Sequence, residues 1–158
     1  MIRNSEPSDR SAIQEIAEAI GFEEAETAEV LLSFDAAHDP NNPSQAIWFT
    51  DDDAGVQGVA YVEPERMTEG TYNLLFIAVH PRKQKRGRGA ELIRYVERQI
   101  AERGGRLLIV ETMGTTDFSH VRRLYARLGF VEEARIRDFY ADGYDKVVYW
   151  KTLDRKDG

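Results

Sequence analysis

The sequence predicts one domain of α/β class (mixed α+β), a mixed sheet of about six or seven strands flanked by about four helices. Three observations lead there. The chain has 158 residues, the size of one domain and enough to bury a core without metals or disulfides. Strand-length apolar runs and helix-spaced apolar residues follow each other in the order α-α-β-β-β-α-β-α-β-β. No repeat, low-complexity tract or linker breaks the series, so residues 1–158 are expected to form a single domain.

Each element has a local reason. Ser8-Asp9 caps a helix whose apolar face is Ile13, Ile16, Ala17 and Ile20, stopped by Gly21. A second helix is expected from about Glu23 to Ala37, with Ala28, Leu31, Leu32 and Phe34 inward. Pro40 and Pro43 mark the loop after it. Ala46 to Thr50 and Val56 to Glu63 read as a hairpin around Asp51-Asp52-Asp53-Ala54-Gly55. Thr71 to Val79 is apolar enough in its second half to be buried on both faces. Leu92, Ile93, Val96 and Ile100 give the next helix, ended by Gly104-Gly105. Arg106 to Thr112 is a second buried-strand run. Val121, Leu124, Tyr125 and Leu128 mark a helix ending at Gly129. Phe130 to Arg137 and Lys146 to Leu153 close the chain as strands joined by a loop, Asp138 to Asp145.

Composition excludes several classes. With 42% apolar and 31% charged residues the chain has an ordinary globular balance. It has no Cys, which removes disulfide scaffolds, thiolate metal sites and cysteine nucleophiles together and fits a reducing, cytoplasmic setting. The longest apolar run, Leu74 to Val79, is far too short for a bilayer, and Met1 to Glu6 has no signal-peptide pattern. Neither a membrane nor a metal is expected, since the three His are scattered and the Asp51 run lacks calcium-loop spacing.

Net charge is −7, which argues against nucleic acid as the main partner. Its distribution is uneven. Residues 1–53 hold 13 acidic and 2 basic side chains, net −11, whereas residues 81–106 hold 9 basic and 3 acidic, net +6. Five of those cations fall between Arg82 and Arg88, around two glycines. A solvated helix face accounts for Arg94 to Arg106 but less well for the glycine-flanking cluster.

The segment joining the buried strand to its helix runs Val79-His80-Pro81-Arg82-Lys83-Gln84-Lys85-Arg86-Gly87-Arg88-Gly89-Ala90. A helix start leaves its first N–H groups without intrahelical partners, and glycine lets backbone approach an anion. A dinucleotide fingerprint fails because its third glycine position is Leu92, and no Walker loop matches. The pattern Q/R-x-x-G-x-G/A fits at Gln84, Gly87 and Gly89.

That segment resembles the acyl-coenzyme A signature of the Gcn5-related N-acetyltransferase superfamily, abbreviated GNAT. Leu75-Phe76-Ile77-Ala78-Val79-His80-Pro81 resembles the family's fourth strand, and Leu124-Tyr125-Ala126-Arg127-Leu128-Gly129-Phe130 its L-Y-x-x-x-G-F segment. The element order also agrees, so the likeness covers nearly the whole chain. The resemblance implies acetyl-CoA as co-substrate, with its pyrophosphate on the backbone of Gln84, Lys85, Arg86, Gly87, Arg88, Gly89 and Ala90. It also implies a splayed sheet whose slot takes the pantetheine arm along Ile77, Ala78 and Val79. Homodimers are common in the family, and a homodimer is one expected arrangement.

Acetyl transfer to an amine needs a neutral amine, a donor for the developing oxyanion and a proton for the leaving thiolate. The resemblance implies Val79 N–H as that donor and Tyr125 as the acid; a phenol donates at neutral pH without special tuning. Without a Cys, direct attack on the thioester is expected rather than an acyl-enzyme. For the base, the fourth strand offers Asn73, which cannot titrate. Glu111, beside the run Leu107 to Val110, is the nearest carboxylate expected around the cleft, where burial makes a better base; a water chain serves equally. Phe118 stands where the family often has a coenzyme-contacting Asn, with Thr115, Thr116 and Ser119 as substitutes. In the family the first two helices and the loop between the last two strands shape the acceptor side, and both are acidic here. The expectation is therefore N-acetylation of a cationic primary amine. Two rivals stand beside it: a non-catalytic acyl-CoA sensor, and an interaction module whose basic stretch binds an acidic partner.

Overall fold

The computed structural model of the protein describes residues 1–41 and 43–153. Its elements are β1 (Ile2–Asn4), α1 (Arg10–Ala19), α2 (Glu24–Ala37), β2 (Ile47–Asp52), β3 (Val56–Pro64), β4 (Thr71–Val79), α3 (Arg88–Glu102), β5 (Leu107–Met113), α4 (Ser119–Arg127), β6 (Val131–Ala141) and β7 (Tyr144–Thr152). The strands hydrogen-bond in the order β1-β2-β3-β4-β5-β7-β6. This is the mixed class expected from sequence, with four helices and seven strands among the described residues. The chain divides into two compact units. One holds Met1–Pro64 and Leu75–Val96, the other Glu65–Leu74 and the chain from Glu97 onward. No helix among the described residues is long and apolar enough to cross a membrane.

In the first unit, Ile13 and Ile16 of α1 and Leu31 and Phe34 of α2 pack on Trp48, Val59 and Ala78 of the sheet. Leu92, Ile93 and Val96 of α3 are also fully buried. The face of α2 differs from expectation. Thr27, Leu31 and Phe34 turn inward, while Ala28 and Leu32 are exposed. Spacing of four and three residues fixes one stripe, and Ala28 and Leu32 lie about 100° round the helix from it.

β1 was not expected, because three residues show no period. It is held by antiparallel pairing to β2, Ile2 to Asp51 and Asn4 to Phe49, and by a buried carboxylate. Asp9 takes both Arg3 guanidinium donors at 2.9 and 3.0 Å, the Glu6 N–H at 2.8 Å and the Thr50 hydroxyl at 3.1 Å.

In the second unit, β5 pairs antiparallel with β7 from Leu107–Thr152 to Met113–Lys146. Only alternate β5 residues, Leu108, Val110 and Thr112, are buried, so this strand is not the two-faced run that its apolar sequence suggested. β4 pairs in parallel with β5 over Thr71–Leu74 alone. Its second half is likewise less buried than expected, with Leu75 42% exposed. The last two strands are longer than predicted and meet at Asp142-Gly143 instead of a loop from Asp138 to Asp145. Their register slips between Ile136 and Ala141, where Asp138 adopts a left-handed φ of 55°. Asp145 accepts the Asp138 N–H at 3.0 Å, and the Gly143 N–H reaches Asp138 Oδ1 at 2.8 Å. The polar residues that read as a loop satisfy this bulge.

Burial pushes the Asp9 carboxyl's pKa up, but hydrogen bonds from Arg3, Glu6 and Thr50 more than offset it and hold the value below the ordinary one. With the folded value depressed, this stabilisation is complete above the unfolded carboxyl value of about 4 and is lost as pH falls through the folded value. Asp9→Asn should lower stability by about 2 kcal/mol at neutral pH and flatten the acid limb of stability against pH, read by urea melts from pH 3 to 7.

Candidate functional site

The loop between β4 and α3 is built by its own side chains. His80 N–H donates to Gln57 C=O at 2.8 Å, and His80 Nδ1 accepts the Arg82 N–H at 3.2 Å, starting one short turn at Pro81–Lys83. Gln84 Nε2 reaches back to Val79 C=O at 2.9 Å, which buckles the loop onto the end of β4. Lys85 and Gly87 both adopt left-handed backbone, φ 65° and 74°. Such residues turn successive N–H groups to one side, the geometry of an anion-binding nest. Helix bonding begins with Glu91 N–H to Gly87 C=O at 3.0 Å. The amides of Arg88, Gly89 and Ala90 therefore have no acceptor within α3. Arg82, Lys85 and Arg86 are exposed around them.

Arg88 behaves differently from the other cations. Its Nε and Nη2 donate to Asp51 Oδ2 and Oδ1 at 2.8 and 2.6 Å. Asp51 is 1% exposed at its side chain, and its Oδ2 also accepts Gln57 Nε2 at 3.4 Å. The Asp51 hydrogen bond raises the Arg88 pKa further. So Arg88 brings its backbone to the loop while its guanidinium serves Asp51, a residue that sequence reasoning placed only in a turn.

Tyr125 sits in the last turn of α4 for an identifiable reason. Phe130 N–H bonds to Tyr125 C=O at 3.0 Å and Gly129 N–H to Ala126 C=O at 3.1 Å, with Gly129 at φ 92°. This is a Schellman termination, in which the residue after glycine packs on the residue five back. Phe130 does so, its ring 5.7 Å from Tyr125. Tyr149 lies 5.7 Å away on another side. The spacing L-Y-x-x-x-G-F is thus a helix stop that buries its tyrosine. Burial pushes the phenol's pKa well up, so it keeps its proton across the neutral range.

Glu111 is three-quarters buried and its two oxygens are engaged. Oε2 pairs with Lys146 Nζ at 2.9 Å and Oε1 accepts Asn73 Nδ2 at 3.3 Å. Lys146 Nζ also lies 4.1 Å from the Phe139 ring centre. Asn73 donates to Glu65 Oε1 at 2.9 Å, and its own Oδ1 is buried without a partner. Burial, and then the nearby Glu111 charge, raise the Tyr140 pKa. Glu111 therefore lies in a polar network of Asn73, Glu65 and Lys146 and not in an apolar pocket. Glu65 and Lys146 carried no sequence signal, since both are charged residues at strand ends.

Phe118 closes a short turn at Thr116–Phe118. Thr115 Oγ1 is buried without a hydrogen bond, and Thr115 C=O accepts Arg122 Nη1 at 2.8 Å. In the first unit, a groove of about 480 Å³ is lined by Gln14, Glu18, Glu24, Thr27, Ala28 and Leu31.

The family model for the acetyltransferase (GNAT) domain matches residues 43–132. A crystal structure from Desulfovibrio desulfuricans, described as a GNAT-family acetyltransferase, shares 31% identity over 98% of this chain and 99% of its own, with a TM-score of 0.90. The Escherichia coli ribosomal-protein-S18-alanine N-acetyltransferase is 20% identical over 100% and 96% of the two chains, TM-score 0.78. A Salmonella typhimurium protein solved with its cofactor acetyl-CoA is 19% identical over 100% and 96%, TM-score 0.77. The last two likenesses speak to the fold. No curated protein sequence matches the chain.

A Cβ at Gly87 would meet nothing within 4 Å, so only its φ resists substitution. Gly87→Ala should cost about 1 kcal/mol, read as a fall in Tm of roughly 3 °C.

Proposed function

This chain belongs to the GNAT acetyltransferase family, and on that premise we propose that it acetylates a primary amine from acetyl-CoA by direct attack on the thioester. The observation that carries the reading is the loop ahead of α3. Two left-handed residues and three helix-start amides with no acceptor in α3 lie there among exposed cations. In this proposal the amides from Lys85 to Ala90 take the diphosphate, and the pantetheine arm adds to β4 as a strand does.

Strand alternation supports the second part. His80 N–H points to Gln57, so the N–H groups of Ile77 and Val79 face the opposite edge of β4. The pairing of β4 with β5 stops at Leu74. Gln84 occupies the Val79 carbonyl on that edge. The Val79 N–H then serves as donor to the thioester oxygen as negative charge develops.

The amine nitrogen bonds to the thioester carbon as the carbon–sulfur bond breaks. One amine proton leaves to Glu111 or to water, and Tyr125 gives its hydroxyl proton to the departing thiolate. Raised by burial, the Tyr125 phenol is fully protonated for this step. A cationic acceptor is the favoured class, supported by the two carboxylates, Glu18 and Glu24, in the groove of α1 and α2.

An acetyl-CoA turnover screen across charged and neutral amines, read by thiol release, tests the reading; turnover indifferent to acceptor charge removes the cationic class. Tyr125→Phe should lower kcat by about 100-fold and leave the Kd for CoA unchanged. Because the phenol's pKa is raised, the kcat profile should show no alkaline loss from Tyr125 up to about pH 10.

A further inference from the structure

We infer that Asp51 is a positioning residue for the coenzyme loop, acting through Arg88; the inference rests on the coenzyme reading above. A carboxylate that is 1% exposed cannot remain charged without compensation. Asp51 obtains it from Arg88, whose Nε and Nη2 both bond to it, at 2.8 and 2.6 Å. A two-point fork of this kind fixes the orientation of the guanidinium as well as its distance.

Where Arg88 stands makes the fork matter. It is the first residue of α3 and lies between Gly87 and Gly89. Glycines leave that stretch of main chain the least constrained by its own side chains, so its position has to be set from outside. The Asp51–Arg88 fork ties the first turn of α3 to the end of β2, and the Arg88, Gly89 and Ala90 amides go with it. Gly58, paired with Asp51 across the ladder, brings no side chain to compete for the space. Gln57 Nε2 adds a third contact to the same carboxylate.

The fork also sorts the cations. Arg88's charge is matched within the protein, whereas Lys85 and Arg86 are exposed. The diphosphate meets the Arg88 backbone and the side chains of its neighbours. Asp51 is acidic, yet it promotes anion binding, because it keeps the amides aimed.

Calorimetry of CoA binding and steady-state kinetics on the full chain test this. Asp51→Asn should raise the CoA Kd and the acetyl-CoA KM by roughly tenfold or more. Saturating kcat should change less than about threefold, and the acceptor KM should hold, because the loss is one of positioning. Arg88→Lys keeps the charge but offers a point donor in place of the fork. It should stay folded, with a Tm near wild type, and still weaken CoA, which covers the case in which Asp51→Asn does not fold. A folded variant with unchanged Kd overturns the inference, as does a parallel rise in acceptor KM. If the wild-type chain binds CoA and both variants bind it equally, only this inference fails. A wild-type chain that does not bind CoA overturns the coenzyme reading as well.

Discussion

An α-helix cannot satisfy its own first amide donors, and in this chain that deficit lies just past the end of β4, beside the left-handed Lys85 and Gly87, where the proposed diphosphate would meet it. Several residues of the loop from His80 to Ala90 shape the chain around those donors without bonding them. His80 starts the short turn, Gln84 bonds the strand's last carbonyl, and Lys85 and Gly87 reverse the chain hand. Lys85 in left-handed backbone is a local strain that glycine would avoid. Its side chain puts a cation beside the nest, which gives the strained choice a physical reason.

The helix stop at Tyr125 works by a similar economy of parts. Tyr125, the acid of the proposed reaction, is removed from water, although an exposed phenol would also keep its proton at neutral pH. The Schellman turn achieves this with three residues, as Gly129 permits the reversal and Phe130 folds back onto the ring. Lys151 donates to the Leu128 carbonyl at 2.6 Å, satisfying another acceptor at the same helix end. The termination that gives α4 its length also buries the phenol and raises its pKa.

Sequence carried the parts of this structure that local chemistry dictates. α1, α3 and the glycine loop were legible because apolar spacing and glycines act within a few residues. The cap expected from Ser8-Asp9 is absent: the Asp9 carboxylate makes no side-chain cap on α1 and serves Arg3, the Glu6 N–H and Thr50 instead. β1 was not legible, since its stability comes from Arg3 meeting Asp9 and from pairing with β2. The long β6 and β7 were misread as shorter strands because Asp138, Gly143 and Asp145 are turn residues by type, and only the cross-strand bonds show them sustaining a bulge. The two apolar strands β4 and β5 were read as buried on both faces, whereas alternation governs β5 and exposed Leu75 interrupts β4. At the candidate site, Gln84 to Ala90 and Tyr125 were proposed from motif spacing. Asp51 was not, because its partner lies 37 residues away and ion pairs leave no periodic trace.

The acidity of the first 53 residues divides once helix physics is applied to it. Glu23, Glu24 and Glu26 open α2, where Glu23 and Glu26 form a capping box and the macrodipole favours negative charge. Asp9, Asp35 and Asp51 are matched by Arg3, Arg10 and Arg88. These six need no ligand to explain them. Glu18 is a different case. It lies in the last turn of α1, which contains no basic residue, and there a negative charge opposes the dipole. Gln14 donates to it at 3.0 Å but brings no charge. Of the two carboxylates lining the groove, Glu18 is the one that its own helix disfavours, and a cationic acceptor is the partner under which that placement acquires a physical reason.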